Sequence, residues 1–521
     1  MMVAAAESRH PRHWLAMGFF AFCLLIPIAW GAAPHSPWDV DHLAPGPALR
    51  ALAQHFAPGW FSSYGPVPYL MIGAVYLPLL ALFKLTGEWG TPSPVYPWGF
   101  AHAEFAMVAL TVAARLISVV FALLIAQLAA RRERSQTPPV PGWLVVLLLV
   151  GSPCFSYYAR TSNVDMHYLF WLWVAFHLIE TPMASARRLA AGAACAALAV
   201  CSKEQAAPFA VVACLVAATR AARAEPQRAM LAVARTLGAA ALAYVVAWQL
   251  PFNVAGWVSH HRFLFEEARY PRTYPLSPAG IAALAGHVVT LLPVTFGALL
   301  LLALGAALVL RTSWRGLAPR AIGCALYFVA FVLPIGYAYP RFLLPLLLLL
   351  LPLGARGLRD LYALAAGRPW ARRAIAAAAV VLALTGAPAL SLTMLQDPRL
   401  AVERWLRTDV PAGATIELAG SPGYQARLPL DRPVFRTQAD SLRVAPRGPR
   451  GDVVLLSSLD LYTFLVDPVA RACWMDSLHA EGAVGRYREI DFLRPPAARF
   501  NRGLPVAPTV IVWVKPGVTA R

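Results

Sequence analysis

The chain has 521 residues, of which 59% are hydrophobic and only 14% charged, where soluble domains carry about 25% charged residues; a soluble globule is excluded. The formal net charge of +19 would suit a nucleic-acid partner, but no basic stretch carries the interleaved aromatics of a strand-binding groove, so that class is excluded as well. Residues 393–521 hold 17 basic and 13 acidic side chains, a net of +4, which leaves +15 to the preceding part, in short Arg-rich loops between apolar runs. That distribution is the positive-inside bias of a multi-pass membrane protein.

In chain order, a basic N-terminus ending at Arg12-His13 precedes the first apolar run, 14–33, which reads as an uncleaved first helix because many further spans follow. Runs near the roughly 20 residues that cross a bilayer continue at 105–130, 143–158, 166–179, 189–200, 207–219, 230–250, 293–310, 321–337, 342–353 and 374–392, about eleven helices in all. Pro66–Leu85 is also apolar, and its status decides the topology. If it spans, the Arg-rich loops at 131–134, 187–188, 220–228, 311–320 and 356–373 face outward. If it lies in the outer leaflet as a juxtamembrane hairpin, all of them face the cytoplasm, which is the arrangement the positive-inside rule selects. Prolines 66, 68 and 78 and the Gly/Pro-rich stretch 87–99 suit the hairpin.

After residue 392 the composition changes. Residues 397–408 have helical spacing, Pro411-Ala412-Gly413 is a turn, and 415–418, 452–457 and 509–515 are β-branched strand candidates. The expected organisation is therefore a helical membrane domain over 1–392 and a small α/β domain over 393–521 on the outer side, periplasmic in a bacterial inner membrane.

The same topology gathers the ionisable clusters on one side. Asp39 and Asp41, in Trp38-Asp39-Val40-Asp41-His42, follow the first helix; two carboxylates two apart suit a general base or a hard divalent-cation ligand set, and a solvated loop equally. Arg160 and Asp165 bracket the loop before an aromatic helix, where an acid at that depth needs a cavity or a partner. Lys203, beside Glu204, is one of only three lysines, with Lys84 and Lys515; lysine binds phosphate as a point charge. Arg341 opens a Leu-rich helix, placed to anchor a lipid phosphate or to snorkel to the interface. His260, His261, Glu266 and Glu267 crowd the loop after residue 250, as an acceptor wall or a solvated mixed-charge loop. The cysteines fall mostly inside apolar runs, and neither they nor His167, His177 and His287 have metal-site spacing.

The order of these features resembles the GT-C glycosyltransferases, in particular the branch of protein O-mannosyltransferases and lipid A aminoarabinose transferases. Asp39-Val40-Asp41 is similar to the family's first-loop acidic pair, which is usually adjacent; here Val40 separates the two, so either can be the base. Tyr64-Gly65-Pro66-Val67-Pro68-Tyr69-Leu70 resembles its juxtamembrane Pro-Pro stretch, and Ala114-Arg115-Leu116-Ile117-Ser118 its Arg-Leu-x-Ser helix start. Tyr158 to Asp165 resembles the second acidic loop, Ser202-Lys203-Glu204 the lysine loop, and Pro340-Arg341-Phe342-Leu343-Leu344-Pro345 its Arg-Tyr-Leu-Leu-Pro motif.

The resemblance implies a GT-C-like bundle and an inverting transfer of a sugar from a polyprenyl-phosphate donor to a lipid, glycan or protein acceptor on the periplasmic face. Asp39, Asp41 or Asp165 would serve as base, and Lys203 and Arg341 would hold the donor phosphate. Arg160, Glu204, Glu266 and Glu267 would wall the site. A transporter or lipid-linked sugar flippase is the rival class, but the acids sit on loops at one face and no inverted repeat is visible. A scaffold has no use for such clusters.

Overall fold

Two compact units make up the chain, one from residues 1–28 and 41–388, the other from residues 29–40 and 389–521. The computed structural model describes residues 11–32, 37–39, 41–54, 57–93, 96–267, 272–428, 432–479, 488–501 and 503–518; the side chain of Glu267 lies outside the described set.

The first unit is a helical bundle. Its elements are α1 (Pro11–Leu25), α2 (Gly46–Ala53), α3 (Pro66–Leu85), α4 (Ala103–Arg134), α5 (Gly142–Val150), α6 (Pro153–Tyr158), α7 (Asp165–Glu180), α8 (Ala186–Val200), α9 (Ala207–Ala224), α10 (Ala229–Ala247), α11 (Leu250–Arg262), α12 (Pro278–Val309), α13 (Ala318–Tyr327), α14 (Leu347–Leu364) and α15 (Pro369–Leu384). Among the described residues, eight helices are long and apolar enough to cross a membrane, Pro66–Leu85 among them. The protein is a multi-pass membrane protein. The expected spans at 14–33, 143–158, 166–179 and 189–200 fall on shorter helices: α1 is 15 residues long, α7 16, α8 15, and α5 and α6 are separated at Gly151-Ser152.

Each end of the bundle is tied by ion pairs. At the Arg-rich end, Arg132 and Arg320 each reach Glu180 at 2.8 Å, and Arg356 reaches the fully buried Glu133 at 2.8 Å. Arg220 caps the adjacent loop at the Thr181 carbonyl, 2.9 Å. Buried carboxylates held by several guanidinium forks satisfy charges that would otherwise be costly at that depth. The loops carrying Asp41, Asp165, Lys203 and Arg341 meet at the opposite end.

α3 sits against the first turns of α4. Tyr76 donates to the Leu110 carbonyl at 2.8 Å, and Phe83 packs on Phe105 with ring centroids 6.1 Å apart. Both contacts precede Arg115, which donates to the Ile28 carbonyl just past α1. α4 is 32 residues long, about 48 Å at 1.5 Å per residue, which exceeds a bilayer's hydrocarbon thickness of about 30 Å.

Two glycines set the backbone around the site. A Cβ at Gly65 would lie 2.0 Å from the Cys201 carbonyl, so only glycine lets the α3 entrance touch the loop before Lys203. Gly297, at φ +73°, breaks α12 where a Cβ would lie 1.8 Å from the Gly151 carbonyl. α12 starts fifteen residues before the expected position at Pro293, which lies inside the helix four residues before that kink. The region after residue 250, expected as a loop, is helix α11 continued by a π turn over Phe263–Glu267.

The second unit is a three-layer α/β sandwich. Five strands, β1 (Ile416–Ala419), β2 (Val434–Thr437), β3 (Val453–Ser457), β4 (Arg488–Phe492) and β5 (Val510–Val514), lie in the order β2-β1-β3-β5-β4. β1, β2 and β3 run parallel, and β5 is antiparallel to both its neighbours, β3 and β4. Alternate residues point to opposite faces. Ile416, Leu418, Val453, Leu455 and Val512 pack on Val402 and Leu406 of α16 (Pro398–Thr408), while Val454, Leu456 and Trp513 pack on Leu442, Phe464 and Trp474. Residues of the 29–39 segment belong to this unit through Trp30 Nε1, 3.0 Å from Asp397, and Trp38 Nε1, 2.8 Å from the Gln425 carbonyl. Arg399 lies 3.9 Å over the Trp38 ring while pairing with Asp397.

Candidate active site

Four loops of the bundle converge at the end opposite the Arg-rich one. Leu43 N–H donates to the Ser162 carbonyl at 2.9 Å and Asn163 Nδ2 to the Asp41 carbonyl at 3.5 Å, which stitches the first loop to the loop before α7. Asn163 Oδ1 accepts from Asp165 N–H at 3.1 Å. Arg341, in the 3₁₀ turn Pro340–Leu346, forms an ion pair with Asp41. Lys203 Nζ donates to Asp165 Oδ1 at 2.8 Å, and its ammonium lies 5.8 Å from the Tyr64 ring and 5.5 Å from that of Tyr168. Arg341 is within electrostatic reach of Asp165 and of the Tyr64 and Tyr158 hydroxyls.

The result is a nearly neutral quartet of two carboxylates and two cations lined by tyrosines. Burial pulls the Lys203 ammonium below its ordinary pKa, and the Asp165 carboxylate partly restores it. Burial, then the Asp41 charge, raises the Tyr64 phenol, which therefore stays protonated as a hydrogen-bond donor. The two aspartates differ in access: the Asp165 side chain is 0% exposed and that of Asp41 37%. Asp41 can meet a polar molecule arriving from outside the bundle, whereas Asp165 is an internal counter-charge.

Among the remaining candidates, Asp39 is 1% exposed and falls in the unit built on residues 389–521. Arg160 is buried and donates Nε to the Ser156 carbonyl at 2.9 Å. Glu204 Oε1 lies 2.7 Å from His260 Nε2, while His260 Nδ1 lies 2.6 Å from the Ser62 carbonyl. A carbonyl can only accept, so Nδ1 carries a hydrogen, and the Glu204–His260 contact needs one further proton shared between the two groups. His260 is fully buried, which overturns the solvated-loop expectation for that residue. It bridges the loop of Tyr64 to that of Lys203. Glu266, by contrast, is 68% exposed and faces Arg262 at 4.0 Å, one helical turn away. Glu267 is outside the described side chains.

Sequence reasoning passed over Tyr168 and Gln205 as participants. Each lies in or beside an apolar run, and only long-range packing shows what it faces. Among the described residues, no group of three or more His, Cys, Asp or Glu side chains is placed to hold a metal ion.

No protein-family model matches the chain, and no curated protein matches its sequence. Among solved structures, it is similar to ArnT from Cupriavidus metallidurans bound to undecaprenyl phosphate, at 12% identity and a TM-score of 0.44, over 98% of this chain and 99% of that one. It is also similar to the archaeal oligosaccharyltransferase AglB from Archaeoglobus fulgidus, at 11% identity and 0.39, over 79% of this chain and 62% of that one. The S. cerevisiae protein O-mannosyltransferase Pmt1-Pmt2 complex aligns at 14% identity and 0.32, over 48% of this chain and 35% of that one.

Proposed function

We propose that the protein is an inverting glycosyltransferase that moves a sugar from a polyprenyl-phosphate carrier to a nucleophilic acceptor on the outer, periplasmic side of a bacterial inner membrane. The observation that carries the reading is the pairing of Lys203 and Arg341 with Asp165 and Asp41 at the end of the bundle opposite its Arg-rich loops. Two cations converging there suit a lipid phosphate, because charge-assisted hydrogen bonds from both sides offset the cost of burying it.

In this reading Asp41 takes the proton of an acceptor hydroxyl or amine as that atom attacks the anomeric carbon. The bond from that carbon to the phosphate oxygen breaks, and the carrier leaves as polyprenyl phosphate with one more negative charge. Lys203 and Arg341 stabilise the developing charge in a setting poor in water, where fixed charges act most strongly. Asp165 holds the Lys203 ammonium in place, and Tyr64 donates its hydroxyl to the phosphate region. Lipid, glycan and protein acceptors are all compatible with the exposed side of Asp41.

The test is incubation of the purified protein with radiolabelled polyprenyl-phosphate sugars and a cell-envelope extract. Label moving to a lipid, glycan or protein fraction, and failing to move with Asp41→Asn, supports the reading. Label carried across a vesicle membrane without covalent transfer would favour a flippase.

A further inference from the structure

The transferase chemistry above leaves a second group of polar atoms unused. Asp165 Oδ2, the Tyr168 hydroxyl and both amide atoms of Gln205 are buried, and among the described residues none has a hydrogen-bond partner. Asp165 and Tyr168 are three residues apart on α7 and therefore share a face. Gln205 sits in the 3₁₀ turn Glu204–Ala206, directly after Lys203. Its amide lies beside the Tyr168 hydroxyl, close enough for a weak contact between the two but short of full hydrogen-bond geometry. Lys203 holds Oδ1 of Asp165, which leaves Oδ2 for something else.

Buried polar groups in native proteins are almost always paired, so four such atoms in one place call for a complement. Its chemistry follows from the donors and acceptors. Asp165 Oδ2 only accepts, Gln205 both donates and accepts, and the tyrosine does either. A phosphate cannot donate to Oδ2, and its charge is repelled there. An isoprenoid chain can pair with none of the atoms. A ring bearing several hydroxyls satisfies all of them, since each hydroxyl donates once and accepts as well.

We propose that Asp165 Oδ2, Tyr168 and Gln205 form a hydroxyl-recognising subsite for the donor's sugar ring, next to the phosphate held by Lys203 and Arg341. The proposal rests on the polyprenyl-phosphate reading and adds the group that selects the sugar. Tyr168 and Gln205 are binding residues in it, with no part in proton transfer. A subsite that pairs hydroxyls rejects analogues lacking them far better than an apolar pocket can.

The experiment compares bare undecaprenyl phosphate with undecaprenyl phosphates carrying glucose, mannose, galactose or arabinose, binding to the purified full-length protein in detergent. The wild type should bind at least one glycosylated carrier about tenfold or more tightly than the bare one. Tyr168→Phe and Gln205→Leu should each remove about fivefold or more of that preference while changing bare-carrier affinity less than about twofold. Tyr168→Phe deletes one oxygen and keeps the ring, so it tests the subsite even if Gln205→Leu fails to fold. Equal losses on bare and glycosylated carriers would overturn the subsite in favour of a role in shaping the phosphate loop. Unchanged affinities for both would overturn it by showing that water alone satisfies these atoms. A wild type that binds the bare carrier but prefers no glycosylated one overturns it too. A wild type that does not bind the bare carrier brings down the carrier reading itself, and the subsite with it.

Discussion

Replacing Lys203 by methionine keeps the length of the side chain and removes the charge that faces Asp165. The carboxylate of Asp165 is fully buried and Lys203 contacts it at 2.8 Å. Removing one partner of such a pair costs about 3–5 kcal/mol, because a buried charge is left uncompensated. Arg341 lies close enough to share the burden, which puts the expectation near the lower bound, ~3 kcal/mol. Adding Asp165→Asn removes the stranded charge, so the double variant should return to within about 1.5 kcal/mol of the wild type, giving a coupling of roughly 2 kcal/mol or more. Unfolding of the full-length protein by dodecyl sulfate, followed by circular dichroism, measures the four members of the cycle. A Lys203→Met cost below about 1 kcal/mol, or a double variant equal to the sum of the singles, would refute the buried pair.

Asp41→Asn should lower transfer by about 100-fold or more, the effect of losing a general base, with the unfolding midpoint unchanged; Asp39→Asn should instead act on stability, because that side chain is buried in the α/β unit. Asp460 provides a pH test: burial raises its pKa to about 6, against the pull of the Ser421 N–H and Gln425. A carboxyl whose folded pKa is raised gives stability that is full below about pH 4 and is lost as pH rises through about 6, up to ~3 kcal/mol for a shift of about two units. Hydrogen exchange of β1 and β3 in the full-length protein should therefore quicken between pH 4 and 7 beyond the intrinsic rate, and Asp460→Asn should abolish that excess and protect these strands better at pH 7. Single cysteines at Ser135 and Met183, both exposed, in a background lacking native cysteines, should resist a membrane-impermeant thiol reagent in intact cells, while one at Ser421 reacts; labelling at Ser135 from outside would make α3 a span and separate the charges of the site.

Much of the bundle was legible because a membrane helix announces itself by an apolar run long enough to span, and because arginines mark the ends that stay inside. β1, β3 and β5 were legible for a related reason: they are buried on both faces and read as short apolar runs. β2 and β4 are edge strands with exposed, charged sequences such as Arg488-Glu489-Ile490-Asp491-Phe492, so nothing local marks them. The first apolar run was read as ending at residue 33, inside the membrane domain; the place of Trp30 in the α/β unit depends on its meeting Asp397 more than 360 residues later. Within the site, Asp41, Asp165, Lys203 and Arg341 were legible as rare charges beside apolar helices. Tyr168 and Gln205 were not, since each is an ordinary residue until the fold shows which polar atoms it faces.

The central claim, that Lys203 and Arg341 share one lipid phosphate, is tested most directly by the affinity of undecaprenyl phosphate for the wild type, Lys203→Ala, Arg341→Ala and the double variant. Each single change should weaken binding by roughly 1.5–3 kcal/mol, the range for hydrogen bonds to charged groups. The double change should cost less than the sum, because residues that contact one ligand couple. Small, strictly additive losses would contradict the account and leave two independent interfacial cations with no phosphate between them.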